Sequence, residues 1–227
     1  MKIETINIEF LGHSGFLITY YFQNQLRKIV IDPYNVSDNL KSVDLILITH
    51  SHYDHCSIKD IMKIVKKGTK IFISADAQSK INKIKDVEMQ IVEPGDVFQI
   101  DNLKIEAFPS YNINKKFHER SEGWVGYLIK FENLVIYHAG DTDKIPEMSK
   151  LSGYGNHKNN FIALLPVSGV YVMNAEEAAE TAALINADLA IPMHYGAGVA
   201  GSIEDAKKFL ALCESKGIKA RILERFS

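Results

Sequence analysis

Residues 45–57, LILITHSHYDHCS, join a nearly continuous apolar run to a dense group of ionisable side chains. The apolar part is typical of a β-strand that is covered on both faces. His50, His52, Asp54 and His55 follow it within six positions. Crowded imidazoles repel one another when ionised, and a bound cation would reverse that repulsion. The fold must therefore bring the end of a buried strand to a place where these side chains act together.

The spacing of these residues indicates a metal site. Neutral imidazole nitrogen and carboxylate oxygen are ligands of zinc and similar divalent ions. His50 and His52 lie two positions apart, so in extended backbone both side chains point to the same side. Asp54 and His55 come where the chain turns toward a helix, for which Ser57 is a plausible N-cap. One loop could thus supply two neighbouring ions, and the alternative of ordinary surface-loop histidines explains this crowding poorly.

Composition excludes several classes of protein. The 227 residues are 46% hydrophobic and carry a formal net charge of −2, which gives no general attraction for nucleic acid or an anionic membrane. Two cysteines, Cys56 and Cys213, are too few for a disulfide framework. Acidic residues interrupt the N-terminal segment, so we expect no signal peptide, and no apolar run approaches membrane-spanning length. We therefore expect a cytoplasmic protein with one domain over residues 1–227; the sequence leaves its oligomeric state open.

The order of the predicted elements indicates the fold class. Strands dominate the first third, and the last third alternates: FIALLPV (strand), NAEEAAETAALIN (helix), DLAIPMHYG (strand), SIEDAKKFLALCESKG (helix) and KARILE (a final strand). Asn174 with Glu177, and Ser202 with Asp205, resemble the capping box at the start of a helix. This order predicts an α/β (α+β) fold, an αββα sandwich of two mixed β-sheets flanked by helices.

Five ordered motifs carry a family resemblance. THSHYDH resembles the signature of the metallo-β-lactamase fold superfamily of metal-dependent hydrolases. FLGHSGFLI followed by IDPY, then VIYHAGDTD, ALLPVSGVYVMNAEEAAETA and AIPMHYG, resemble segments of its small lactonase-like branch. That branch includes the L-ascorbate-6-phosphate lactonase. The resemblance covers nearly the whole chain and implies a fold of the metallo-β-lactamase type.

The resemblance also implies a binuclear metal site. By position, the first ion would be bound by His50 and His52. The second would be bound by Asp54, His55 and His194, and Asp141 would bridge both ions. By local sequence alone, Asp141 could instead be a turn residue beside Gly140, and His194 a half-buried histidine of the core.

The chain departs from the family pattern at one ligand. Many members place a further first-metal histidine just after the strand that precedes the hairpin. Here the matching segment, EAFPSYNINKKFHERSEGW, has Tyr111–Asn112 at that position. His118 is the only histidine nearby, and we predict it as the replacement ligand. The alternative is an exposed histidine in a charged loop, with an asparagine or water completing the site.

Four further residues are candidates for supporting roles. His13, in GHSG, could support the site from outside, and Asp32 could accept the other N–H of a metal-bound histidine. His138 could pack in its strand or support the site. Tyr195 could donate a hydrogen bond to a reaction intermediate, or be a packed aromatic. We expect His157 to be a loop residue.

The resemblance implies hydrolysis by a metal-bound hydroxide. Asp54 would orient the nucleophile and pass a proton to the leaving group. The two divalent ions would be Zn²⁺ by default, and Mn²⁺ or Fe²⁺ also suit a His/carboxylate set. The expected substrate is a small molecule, a lactone or ester that could be phosphorylated, because Lys115, Lys116 and Arg120 near His118 could meet an anion.

Three alternatives remain open. Enzymes of the same fold cut phosphodiester bonds, but RNA-processing members usually add a substrate-gripping arm, and no strongly basic segment is present. The second alternative is a redox enzyme, because flavodiiron proteins have the same fold, but those proteins have a Glu at the position of His52 and an attached flavodoxin domain. A non-catalytic metal-binding member would be expected to lose part of the ligand set.

Overall fold

The structure is a computed structural model that describes residues 2–3, 6–155 and 160–227. His157 lies outside the described residues. The chain forms two compact units, an N-terminal unit (Met1–Glu93 with Leu223–Ser227) and a C-terminal unit (Pro94–Ile222). The single domain expected from the sequence stays a prediction.

The N-terminal unit contains a mixed β-sheet whose strands lie side by side in chain order. The strands are β1 (Lys2–Ile3), β2 (Ile6–Gly12), β3 (Gly15–Phe22), β4 (Gln25–Ile31), β5 (Leu45–Leu47), β6 (Thr69–Ile73) and β7 (Val87–Ile91). Pairing is antiparallel from β1 to β4 and parallel from β4 to β7. All three residues of β5 are buried, as its apolar sequence predicts.

Helix α1 (Ile58–Ile64) fixes the histidine-rich loop at its far end. Ser57 caps the helix as predicted, because its side chain accepts from the backbone N–H of Asp60. Ile61 and Ile64 are buried in one apolar core with Ile46 of β5 and with β6. The loop of residues 48–57 is therefore anchored at both ends. A 3₁₀ turn (Ala75–Ala77) and the short helix α2 (Gln78–Ile81) follow β6.

The C-terminal unit contains a second mixed sheet, with β13 at one edge and β8 at the other. Its strands are β8 (Val97–Ile100), β9 (Leu103–Pro109), β10 (Val125–Lys130), β11 (Leu134–His138), β12 (Asn160–Pro166) and β13 (Leu189–Met193). Pairing is antiparallel from β8 to β11 and parallel from β11 to β13. Two 3₁₀ helices, Arg120–Glu122 and Pro146–Leu151, lie in its connections.

Two helices accompany this sheet, α3 (Ala175–Leu184) and α4 (Ile203–Ser215). Both predicted capping boxes are confirmed: Asn174 and Glu177 exchange hydrogen bonds at the start of α3, and Ser202 and Asp205 do so at the start of α4. α3 packs against α4 and β12 with a face of buried alanines, which allows close approach. Each sheet thus has its own helices, and the prediction of two mixed β-sheets flanked by helices is confirmed.

The predicted final strand, KARILE, is wrong. Ala220 makes only an isolated bridge with Ala190 of β13, and Arg225 makes another with Phe10 of β2. Lys219 and Arg221 exchange backbone hydrogen bonds with Ala190 alone, whereas Arg225 and Phe226, which follow KARILE, pair with Phe10 of β2. Neither sheet therefore gains a continuous ladder from it.

Arg225, near the end of the chain, links β2 to the segment that follows β4 in the N-terminal unit. The guanidinium of Arg225 donates from Nε to the carbonyl of Leu11 at 2.9 Å and from Nη2 to that of Asn35 at 2.6 Å. Gly12 has a φ of +107°, and a Cβ there would lie 3.0 Å from Nε of Arg225. Only glycine fits this approach without displacing the arginine. Within the described ranges, no helix is long and apolar enough to cross a membrane.

Candidate metal centre

In the N-terminal unit, two neighbouring parallel strands deliver the first candidates. Asp32 follows β4 directly, and Thr49 and His50 follow shortly after β5. Ile31 is paired with Leu47, and the N–H of Asp32 donates to the carbonyl of Leu47 at 3.0 Å. Because the carboxyl ends of parallel strands lie at the same edge of a sheet, these side chains meet there.

Asp32 organises this edge. Its carboxylate is fully buried and accepts from the backbone N–H of Thr49 at 2.8 Å and from Thr49 Oγ1 at 2.7 Å. Its Oδ2 also lies 2.7 Å from Nδ1 of His55. A carboxylate only accepts hydrogen bonds, so Nδ1 of His55 carries the proton and Nε2 keeps its lone pair. The structure thus brings Asp32 to a candidate ligand, in the role for which it was considered.

Thr49 extends the same network to His50. Its hydroxyl donates to Asp32, so it accepts from Nδ1 of His50, which lies 2.9 Å away. Nε2 of His50 then carries a lone pair and lies 3.1 Å from Nδ1 of His52. Two nitrogen ligands of a tetrahedral zinc ion, at about 2.0–2.1 Å from the metal, would be separated by about 3.3 Å. His50 and His52 therefore converge as a pair of ligands would.

His13 lies nearer to the candidate ligands than the sequence indicates. It occupies the turn between β2 and β3 with a φ of 54° and is fully buried. Its Nε2 lies 2.9 Å from Oδ2 of Asp54, and Nε2 of His55 lies 3.6 Å from the same oxygen. Ligand atoms of these three residues all lie within 4.8 Å of one another. We call His13, His50, His52, Asp54 and His55 the N-terminal cluster.

In the C-terminal unit, His118, Asp141 and His194 form a second group, the C-terminal cluster. Asp141 follows β11 after Gly140, whose φ of 67° makes the turn. Oδ2 of Asp141 lies 3.2 Å from Nε2 of His118 and 3.1 Å from Nε2 of His194. All three side chains are buried. One carboxylate oxygen therefore faces two imidazole nitrogens, an arrangement that a shared cation would stabilise.

His194 is held by a residue that the sequence analysis missed. It follows β13 with a φ of 61°, and its Nδ1 lies 2.9 Å from Oγ of Ser168. Ser168 follows β12, the parallel neighbour of β13. The signal was present in the sequence, because two consecutive buried strands each ended in a polar side chain. Ser168 is placed as the outer partner that His194 would need as a metal ligand.

His118 is buried, although its loop looks solvated in the sequence. Its side chain is 2% exposed, its φ is 60°, and its Nδ1 lies 3.1 Å from the carbonyl of Tyr171, to which it donates. Asn112 holds the loop closed: its backbone N–H donates to the carbonyl of His118 at 2.7 Å, and its side-chain amide donates to the carbonyls of Tyr171 and Phe117 at 2.6 and 2.8 Å. The residue at the position expected for a histidine therefore positions His118 instead.

Two of the cations of this loop have carboxylate partners inside the C-terminal unit. Lys115 is paired with Asp143, and Arg120 with Glu147 at 2.9 Å. Glu147 also accepts from the hydroxyl of Tyr111 at 2.8 Å, and burial together with this bond raises the pKa of Tyr111. The charge available for an anionic substrate is accordingly smaller than the sequence of the loop indicates.

The remaining candidates divide between support and packing. Nδ1 of His138 accepts from the N–H of Gly140 at 3.2 Å and so stabilises the turn that carries Asp141. Tyr195 is buried, and desolvation raises its pKa to about 12. Its hydroxyl is protonated at neutral pH, as that of an ordinary tyrosine is. Desolvation also raises the pKa of Cys56 to about 12, so its thiol is neutral.

Comparison with known proteins identifies the class. A profile of the β-lactamase superfamily domain matches residues 7–194. A UPF0173 metal-dependent hydrolase from Pyrococcus furiosus is 32% identical over 231 residues, covering 96% of this chain and 95% of its own. Another, from Thermococcus kodakarensis, is 34% identical over 201 residues and covers 84% of each chain. The chain therefore belongs to the β-lactamase superfamily and is a metal-dependent hydrolase.

Solved structures agree with this assignment. A proposed metal-dependent hydrolase from Parabacteroides distasonis superposes with a TM-score of 0.80 at 31% identity, covering 97% of this chain and 94% of its own. Igni18, a metallo hydrolase from Ignicoccus hospitalis, superposes with a TM-score of 0.74 at 24% identity, covering 98% of this chain and 97% of its own. At this identity the comparison shows likeness of fold alone. The predicted metallo-β-lactamase fold is confirmed.

Proposed function

We propose that this hydrolase acts on a lactone or related ester of a small molecule, using two divalent cations held by residues of both clusters. His50, His52 and His118 would hold the first ion, and Asp54, His55 and His194 the second. Asp141 would bridge the two. Zn²⁺ is the default ion for this donor set, and Mn²⁺ or Fe²⁺ would also suit it.

One observation carries the metal assignment. Four of the proposed ligands have Nδ1 held by a hydrogen-bonding partner: His50 by Thr49, His55 by Asp32, His118 by the carbonyl of Tyr171 and His194 by Ser168. In each case this leaves Nε2 available as a lone-pair donor when Nδ1 is the proton donor. Histidines that merely pack in a core have no reason to share this arrangement. The donor set present in the chain therefore fits a metal centre.

When bound, divalent cations supply a water molecule of lowered pKa as nucleophile and positive charge for the oxygen that becomes negative. Side chains of the protein supply proton transfer and positioning. Asp54 orients the nucleophile, takes its proton on a carboxylate oxygen and passes it to the leaving group. His13, 2.9 Å from Oδ2 of Asp54, fixes that carboxylate in place. Tyr195 stays protonated at neutral pH and can donate a hydrogen bond to the developing oxyanion.

Charge favours a carboxylic ester or lactone over a phosphodiester. Lys115 and Arg120 have carboxylate partners, and the whole chain has a net charge of −2. A polyanionic substrate such as nucleic acid gains most of its affinity from uncompensated basic side chains. A small substrate with little negative charge requires none.

The test is a substrate panel assayed after reconstitution with Zn²⁺, Mn²⁺ or Fe²⁺, with metal content measured in parallel. Lactones, carboxylic esters, thioesters and phosphate diesters are compared, and chelator-treated protein is the control. We expect two ions per chain and turnover of lactones or esters. Turnover of bis-aryl phosphate diesters alone would show a phosphodiesterase instead. Protein that stays metal-free in excess metal and turns over nothing would be a non-catalytic member.

A further inference from the structure

Exposed apolar side chains lie beside the residues that position His118. Phe117 directly precedes His118 and is 51% exposed. Val170, 59% exposed, directly precedes Tyr171, whose carbonyl accepts from His118. Large apolar side chains left in water are unfavourable, and where they gather they commonly mark a binding surface.

Phe117 and Tyr171 form an aromatic pair in edge-to-face contact. Their ring centroids are 4.9 Å apart and their planes make an angle of 78°. The side-chain amide of Asn112 donates to the backbone carbonyls of both residues. Because His118 is bonded to the same backbone, the pair cannot move independently of this proposed ligand. A surface so fixed is suited to orienting a substrate.

The N-terminal cluster has an aromatic neighbourhood of its own. Tyr53, 63% exposed, lies between His52 and Asp54 in the sequence. Its ring centroid is 5.9 Å from that of Tyr34, which is 5.9 Å from that of His13. Each cluster is thus accompanied by exposed aromatic surface, whereas two nearby cations of the C-terminal unit, Lys115 and Arg120, already have carboxylate partners.

We propose that the aromatic pair, together with Val170 next to Tyr171 in the chain, binds an apolar acyl or alkyl chain of the substrate. This inference rests on the proposed function, and it narrows the substrate class to hydrophobic esters and lactones. Polar, sugar-derived lactones would gain little from this surface. Each methylene group placed against the pair adds favourable burial, up to about 0.8 kcal/mol when fully buried.

The experiment measures kcat/KM for p-nitrophenyl esters from acetate to octanoate with the metal-loaded protein. We expect kcat/KM to rise by about two- to fourfold per methylene, as partial to full burial predicts. We compare kcat/KM for the octanoate ester with kcat/KM for the acetate ester. This ratio is expected to fall in both Phe117→Ala and Val170→Ser, by roughly tenfold in Phe117→Ala, mainly because KM for the octanoate ester rises. Val97→Ala is the matched control, since Val97 is 53% exposed in the same unit but lies on β8. Its ratio stays that of the parent.

Calorimetric binding of octanoate and acetate separates this inference from the proposed function. If octanoate binds more tightly than acetate and Phe117→Ala weakens this binding, the apolar surface is supported. If no ester is hydrolysed in that case, the proposed function fails and the apolar surface stands. Ester turnover with no dependence on chain length, and equal ratios in parent and both variants, overturns the apolar surface and leaves the proposed function standing. Absence of both turnover and octanoate binding overturns both.

Discussion

Asp32 and His55 form a wholly buried contact, with Oδ2 of the carboxylate 2.7 Å from Nδ1 of the imidazole. The same carboxylate oxygen accepts from the hydroxyl of Thr49, which in turn holds Nδ1 of His50. One acid therefore orients two proposed ligands, assigned to different ions. A change at Asp32 is expected to affect both metal positions together.

We predict that Asp32→Asn weakens metal binding by about 10–100-fold, the usual effect of losing the outer partner of a metal-bound histidine. One carboxylate oxygen of Asp32 accepts from the backbone N–H of Thr49, and the other accepts from the hydroxyl of Thr49 and from Nδ1 of His55. An amide has a single acceptor oxygen, so its NH₂ group must face one of these two sets of donors. Competition with a chelator of known affinity measures the change.

The control is Asp86→Asn, because Asp86 is an exposed aspartate of the same unit with a similar backbone conformation, at a φ of 61° against 44° for Asp32. It should bind metal as the parent does. Equal affinity in Asp32→Asn and the parent would refute the orienting role.

We predict that His118→Ala binds one ion fewer per chain than the parent, since it removes one ligand from one position only. Metal content after dialysis measures the stoichiometry. Lys116→Ala, in the same loop but exposed, provides the control and should keep the parent's content. Full occupancy in His118→Ala would exclude it as a required ligand and favour completion by an asparagine or water.

Asp141→Ala should behave differently from His118→Ala. A bridging carboxylate serves both positions, so its loss is expected to remove both ions and all activity together. Asp101→Ala, at an exposed turn residue of the same unit, controls for loss of a carboxylate. Two ions retained in Asp141→Ala would contradict the bridge.

We predict that Arg225→Ala lowers both thermal stability and metal affinity, although Arg225 belongs to neither cluster. It clamps the carbonyls of Leu11 and Asn35, which flank the segments carrying His13 and Asp32. Each hydrogen bond contributes about 1 kcal/mol, and each kcal/mol lowers Tm by about 2–4 °C in a chain of this size. Arg221→Ala, another exposed arginine of the tail, should change neither property by a comparable amount.

The thiol of Cys213 gives a prediction for alkaline pH. Burial in α4 raises its pKa from 9.0 to about 12, so the folded state holds the proton more tightly than the unfolded state. Its contribution to stability is therefore complete below pH 9 and is lost as pH rises toward 12. Urea midpoints at pH 8 and pH 10 should differ less in Cys213→Ala than in the parent. Rapid alkylation of Cys213 in the folded protein would show that the thiol is not buried in solution.

The sequence alone located the proposed metal ligands because they follow apolar strands or stand in a dense motif. His50 and His194 could be placed at strand ends from local pattern, and the structure finds them there. The burial of His118 could not be read in this way. Its sequence neighbours are charged and polar, and the contacts that enclose it come from distant segments, among them Tyr171 and Trp124.

Long-range contacts explain what the sequence did not reveal. Arg225 bonds to residues 214 and 190 positions earlier, and no local periodicity encodes such a pairing. The same reasoning applies to KARILE, which resembles a strand but bonds to β13 at Ala190 alone, before Arg225 pairs with Phe10 of β2. Asn112 stands where a histidine was expected, and its role as a clamp depends on a segment 59 positions away.

Four residues at or beside the clusters, His13, Asp32, His118 and His194, have left-handed backbone conformations, with φ between 44° and 61°. Residues other than glycine adopt this backbone conformation at a cost of about 1 kcal/mol or more. Folding therefore absorbs this strain before any ion arrives, and an incoming ion meets imidazoles that are already aimed. Ion uptake is then expected to be rapid and to leave the far-ultraviolet spectrum almost unchanged.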